Sequence, residues 1–142
     1  MCGIIGISSN KSVSVSIINS LKKLEYRGYD SAGIATLFNG KIMEVKSEGR
    51  VDVLEENFDL KNLKGNIGIG HVRWATHGAP NSINAHQHSS DNVSVVHNGI
   101  IENSTILKKY LTSKGHIFKS KTDTEVIVLS LIHISEPTRL TS

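Results

Sequence analysis

Cysteine occurs once in the chain, at Cys2, directly behind the first methionine of the stretch MCGIIG. Thiolate is the attacking form of cysteine, so a reactive thiol needs a base close at hand. The small side chain of Cys2 favours removal of Met1, and removal would free the Cys2 α-amine. Such an amine has a pKa of about 7.7–8, so near neutral pH part of it is an unprotonated base. Nucleophile and base would then belong to one residue, the logic of N-terminal threonine hydrolases. A buried, inert cysteine in a first strand is the alternative that position alone leaves open.

Further stretches carry groups that such a nucleophile would need. In GHVRWATHGAP, Arg73 offers a planar fork suited to a carboxylate, and Thr76 and His77 add hydrogen-bond capacity. The competing reading is a surface arginine with Trp74 packed beneath it. In VVHNGIIEN, Asn98 and the Gly99 N–H can point the same way and form an oxyanion hole, or simply make an Asn-Gly turn. Asp123 in TDTEV suits a helix start or a substrate ammonium group. Arg27 in YRGYDSAG either orders the N-terminus or sits in a turn. A rival scheme uses histidine: His71, His77, His86, His88 and His97 crowd one region, and His86, His88 and Asp91 could seed a metal site. No second ligand cluster of recognisable spacing follows them.

The elements that must position these groups follow from pattern. CGIIGIS is a β-branched apolar run expected as a buried strand. Ser12 or Ser14 is expected to cap a helix with Ile17, Ile18, Leu21 and Leu24 on one face. GIATLF and KIMEV flank Asn39-Gly40, the chemistry of a type I′ hairpin turn. VDVLEENF predicts a short helix, GNIGIGHVRW a strand entering a loop, and NVSVVHNG a strand ending at Asn-Gly. ENSTILKKYLTSKG predicts an amphipathic helix with Ile106, Leu107, Tyr110 and Leu111 on its apolar face and Gly115 just past its end. HIFKS is expected as a strand, and Thr122 with Glu125 as a capping box for the last helix. Irregular alternation with hairpins predicts an α+β fold rather than a simple parallel one.

Composition narrows the function classes. The 142 residues suit one domain, with 38% hydrophobic and 20% charged residues. A net charge of +3 with dispersed lysines gives little footing for nucleic acid. One cysteine permits no internal disulfide, in keeping with a reducing cytoplasm. No apolar run approaches the roughly 18 residues of a membrane span, and the start is unlike a secretory signal.

Taken in order, MCGIIG, LEYRGYDSAG, GHVRWATHG, VVHNGIIEN and TDTEV resemble the class II glutamine amidotransferases, which are N-terminal-nucleophile hydrolases. The likeness runs from Cys2 to about Val128. EYRGYDSAG together with RWATHG is similar to the branch that aminates fructose 6-phosphate, rather than to amidophosphoribosyltransferase, asparagine synthetase or glutamate synthase. The resemblance implies a four-layer αββα sandwich, incomplete in this chain, occupying residues 2–128. It implies Cys2 as nucleophile, Asn98 and Gly99 as oxyanion hole, and Arg73, Thr76 and His77 on the α-carboxylate of L-glutamine. Asp123 would take the ammonium group, Trp74 would shield the site, and Arg27 would order the terminus. No metal or cofactor is implied. Fructose 6-phosphate binding and homodimer formation would belong to an absent synthase half. Histidines 86 and 97 sit in family-like blocks and are expected to be structural, and Gln87 stands where the family often has proline. Residues 129–142 (LSLIHISEPTRLTS) match no earlier pattern and resemble translated adapter sequence, hence a non-native tail. A non-catalytic binding module with a buried Cys2 is the reading from a different class.

Overall fold

A computed structural model of the protein describes residues 3–27, 29–74, 87–90 and 93–135. Four antiparallel strands form the first sheet: β1 (Gly3–Ser8), β2 (Ser31–Phe38), β3 (Lys41–Glu48) and β4 (Ile67–Arg73), in the order β1-β4-β2-β3. Helices α1 (Ser14–Leu24) and α2 (Val51–Asn57) cover one face of it. The opposite face meets a small antiparallel sheet of β5 (His88–Ser90) and β6 (Val93–Val95), which is backed by α3 (Ser104–Ser113) and α4 (Glu125–Ser135). The layers therefore run helix, sheet, sheet, helix, as the family resemblance implies. Among the described residues, no helix is long and apolar enough to cross a membrane.

Strand alternation assigns each residue of β4 to a layer. Gly68, Gly70 and Val72 face α1, and Ile69, His71 and Arg73 face the second sheet. The glycines let the helix lie close: a Cβ on Gly70 would stand 2.7 Å from Ile17 Cγ2, and one on Gly68 2.6 Å from Ile17 Cδ1. Ile17, Ile18 and Leu21 are buried there with Ala32, Ile34, Val51 and Leu54, while Leu24 is partly buried. A second apolar cluster joins Leu111 of α3 to Val126, Val128, Leu129 and Ile132 of α4, packed on Val93 and Val95.

The Asn39-Gly40 turn forms as expected, with φ of 51° and 75° and Phe38 opposite Lys41. Gly115 also fits its expected place after α3, at φ 95°, where the His116 N–H donates to Leu111 O and the Gly115 N–H to Thr112 O. That pair of bonds is a Schellman ending.

Four local expectations are corrected. Neither Ser12 nor Ser14 caps α1: Val13 is the N-cap, and the buried Ser14 hydroxyl donates to Leu60 O at 2.8 Å. HIFKS is not a strand but irregular chain, with Ile117 exposed. Thr122 and Glu125 do not form a capping box, because Glu125 accepts from Lys119 and Ser120 instead. On α3, Leu111 is buried and Leu107 partly so, but Ile106 and Tyr110 are exposed, and Tyr110 sets its ring edge-on to His133.

Candidate functional site

The inner end of β4 presents two polar side chains where the outer face is apolar. Arg73 is only 3% exposed, whereas Trp74 beyond it is 53% exposed. This reverses the arrangement of a surface arginine lying over a packed tryptophan. The Arg73 carbonyl accepts the Asp30 N–H at 2.7 Å, and Ser31 stands opposite Arg73 in the ladder. Gly3 pairs with Val72, so β1 begins beside this end of β4. Gly3 itself is pinned against α1, where a Cβ would lie 2.9 Å from Leu24 Cβ.

His71, two residues before Arg73, reaches across to the next layer. Its Nε2 lies 3.2 Å from the His97 carbonyl oxygen, so that nitrogen carries the proton and donates. Burial, above all, lowers its pKa to about 3; nearby Arg73 and His97 add to the shift, while the bond to the carbonyl opposes it. His71 is thus neutral at physiological pH. His88 on β5 is likewise brought to about 3, by burial first and then by Lys46, Arg73 and His71. Burial also lowers the Lys46 pKa, against the raising effect of Glu44 and Glu125.

The bond from His71 anchors the segment carrying Asn98 and Gly99. This Asn-Gly pair does not turn a hairpin, for neither residue has a positive φ, and the chain runs on into α3. Glycine leaves room here for the His97 ring: a Cβ at Gly99 would sit 2.9 Å from His97 Nε2, so the ring would have to shift. The His97 ring also approaches Thr124, with Nδ1 3.4 Å from Oγ1. Just beyond Gly99, the Ile101 N–H donates to Asp123 Oδ2 at 2.6 Å, and Asp123 is itself buried. Asp123, Asn98–Gly99 and β4 are therefore joined through named bonds. Cys2, Thr76, His77 and the Arg27 side chain lie outside the described residues, as do His86 and Asp91 of the metal scheme. His88, the remaining member of that scheme, has Nε2 2.7 Å from Thr122 Oγ1. Among the described residues, no three His, Cys, Asp or Glu side chains converge as a metal site.

Several buried polar groups escape a reading from sequence. Gln87 is fully buried and donates to Ile34 O at 2.9 Å and to Glu44 Oε2 at 3.2 Å, tying the sheets together. Ser89 donates to the same Glu44 oxygen at 2.6 Å. A usable signal existed for His71, a lone titratable residue inside the apolar pattern IGIGHV.

Comparison with known proteins bears on these residues. Residues 59–138 match the family model described as a glutamine amidotransferase domain. Similar curated proteins include glutamine–fructose-6-phosphate aminotransferases (isomerizing) from Clostridium acetobutylicum, 58% identical over 129 residues, and Bartonella henselae, 54% over 127. Each alignment takes in 89% of this chain but 21% of the relative, so the chain spans about a fifth of their length. Among solved structures, the glutamine phosphoribosylpyrophosphate amidotransferase of B. subtilis superposes with a TM-score of 0.78 at 30% identity, covering 91% of this chain and 28% of that one. A structure described as the allosteric regulatory enzyme of purine biosynthesis gives 0.76 at 32%, covering 89% and 28%. The sandwich is the one these amidotransferases use, and with more than half of its length matched, the chain belongs to the glutamine amidotransferase domain family.

Proposed function

We propose that the chain is the glutamine-hydrolysing part of a glutamine–fructose-6-phosphate aminotransferase. The observation that carries this reading is the bond between the buried Asp123 carboxylate and the Ile101 N–H. It ties an ammonium-seeking acid to the segment bearing Asn98 and Gly99, so a substrate could meet both ends of one cluster. Identity of 54–58% to aminotransferases of this name, against 30–32% to the superposed amidotransferase structures, favours the sugar-phosphate branch over amidophosphoribosyltransferase.

In this mechanism Arg73, Thr76 and His77 hold the α-carboxylate of L-glutamine and Asp123 its α-ammonium group. The freed α-amine of Cys2 takes the thiol proton, and the thiolate adds to the side-chain amide carbon. Asn98 and the Gly99 N–H stabilise the resulting oxyanion. The amine returns the proton to the departing nitrogen, ammonia leaves, and a γ-glutamyl thioester remains. Water then adds to the thioester with the same amine as base, releasing glutamate and the thiol. Trp74 covers the site, and Arg27 orders the terminus. His71, neutral at physiological pH, adds no positive charge beside Arg73.

Amination of fructose 6-phosphate and homodimer formation are assigned here to segments beyond the fifth of the relatives that this chain spans, in a cytoplasmic setting. We read residues 129–142 as a non-native tail on the likeness of LSLIHISEPTRLTS to translated adapter sequence; the alignments to curated relatives take in 89% of the chain. The family match itself runs to residue 138, and residues 129–135 complete α4, with Leu129 and Ile132 packed in its core.

Intact-mass analysis with a diazoketone analogue of glutamine tests the catalytic reading. We expect loss of Met1 and one label on Cys2, blocked by L-glutamine and indifferent to chelators. Retained Met1 with no label overturns it in favour of the binding module, and stoichiometric zinc with chelator inhibition would favour the metal scheme.

A further inference from the structure

The loop leading into Asp123 is held by a buried network that the glutamine-binding roles do not use. Glu125, the first residue of α4, is 7% exposed. Its carboxylate accepts the Lys119 N–H at 2.9 Å, the Ser120 N–H at 2.7 Å and the Ser120 hydroxyl at 2.6 Å. The Ser120 Oγ lies 3.0 Å from Thr122 Oγ1, which lies 2.7 Å from His88 Nε2 on β5. Asp123 follows directly and grips the Ile101 N–H. Hydrogen bonds therefore tie residues 119–122 to the second sheet, and the chain carries on from Thr122 into Asp123, which bonds the segment just beyond Asn98 and Gly99.

The direction of these bonds separates them from ordinary capping. A capping carboxylate satisfies free N–H groups of its own helix. Glu125 turns away from its helix and satisfies two N–H groups of the preceding loop. Burying a carboxylate is costly unless its oxygens are bonded, and here three donors meet them. The loop so fixed is the one that presents Asp123.

We propose that Glu125, acting with Ser120, Thr122 and His88, is a positioning residue for substrate recognition by Asp123. It locks residues 119–123 so that the Asp123 carboxylate can meet an ammonium group while still holding the Ile101 N–H. This inference rests on the glutamine reading of Asp123 given above.

The test compares hydrolysis of L-glutamine with that of 4-carbamoylbutanoate, which has the same side-chain amide but no α-ammonium group. Glu125→Gln keeps the side-chain volume and replaces an accepting oxygen with an NH2 group. Its kcat/KM for L-glutamine should fall about tenfold or more, while that for 4-carbamoylbutanoate stays unchanged. Thr122→Val should shift the ratio the same way and Thr122→Ser should restore it, a pair that serves equally if Glu125→Gln fails to fold. Equal loss on both substrates, or none, overturns the proposal. Backbone hydrogen exchange gives a readout that needs no turnover: exchange at Ile101 should quicken about tenfold in Glu125→Gln but hold steady in β2. Unchanged exchange at Ile101 also overturns the positioning role. Quickened exchange in a protein whose parent form hydrolyses neither amide overturns the glutamine reading alone.

Discussion

The two faces of β4 divide the labour of the molecule. Toward α1 the strand shows Gly68, Gly70 and Val72, and the layer behind them is aliphatic and closely packed. Toward the second sheet it shows His71 and Arg73, and the facing layer supplies His97, His88, Gln87 and Ser89. On the first face, stability comes from area removed from water, and one aliphatic residue resembles another. On the second, each buried polar atom needs a partner of given type and direction. A strand can therefore be rigidly seated from behind while its front carries groups that are costly to bury.

Acid should break this division most severely, because two buried histidines, His71 and His88, stand on the inner side. In the unfolded chain His71 and His88 take up protons near pH 6.5, whereas in the fold they do so only near pH 3. Unfolding therefore binds protons between those values, so stability is full above about 6.5 and falls as pH drops toward 3. Each ring accounts for roughly 4 kcal/mol at the bottom of that window. Urea midpoints measured from pH 7 to 3 should decline across it, and His71→Asn should make the decline shallower. An unchanged slope would remove the inner face as the acid-sensitive layer.

On the outer face the largest single loss should come from Ile17→Ala, about 2–5 kcal/mol by urea unfolding. The same substitution should leave the labelling of Cys2 intact at temperatures where the chain stays folded. Loss of labelling in folded protein would show that the two faces are coupled. The smallest effect sharpens the comparison from the other side. Ser14 puts a buried hydroxyl into the aliphatic layer and bonds Leu60 O, so Ser14→Ala should cost only about 1 kcal/mol.

How much of this was legible in the sequence follows the range of the forces involved. Asn39-Gly40 and Gly115 were legible because positive φ is a property of the residue itself. Ile17, Ile18 and Leu21 were legible because helical period and burial agree. Ser14 misled because its hydroxyl found a carbonyl 46 residues away, which outweighed a local cap. HIFKS misled because β-branched and aromatic residues favour strands, yet the N–H groups that follow go to the Glu125 carboxylate. At the candidate site, Asn98, Gly99 and Asp123 were picked out by residue type and motif. The close approach of the His97 ring to Gly99 was not legible, since the fold sets where that ring lies. Gln87 looked like a loop difference and is an inter-sheet tie.

The strand order β1-β4-β2-β3 also governs how the molecule comes into being. β2 and β3 are joined by a two-residue turn and can pair as soon as both are made. β1 has its partner in β4, and Gly3 must wait for Val72. At roughly 5–20 residues per second, synthesis leaves that first strand single for several seconds. During that interval the apolar stretch next to Cys2 has no ladder partner, and α1 alone is available to cover it. On the glutamine-hydrolysing reading, removal of Met1 would fall within that interval, before β4 pairs with the strand that follows.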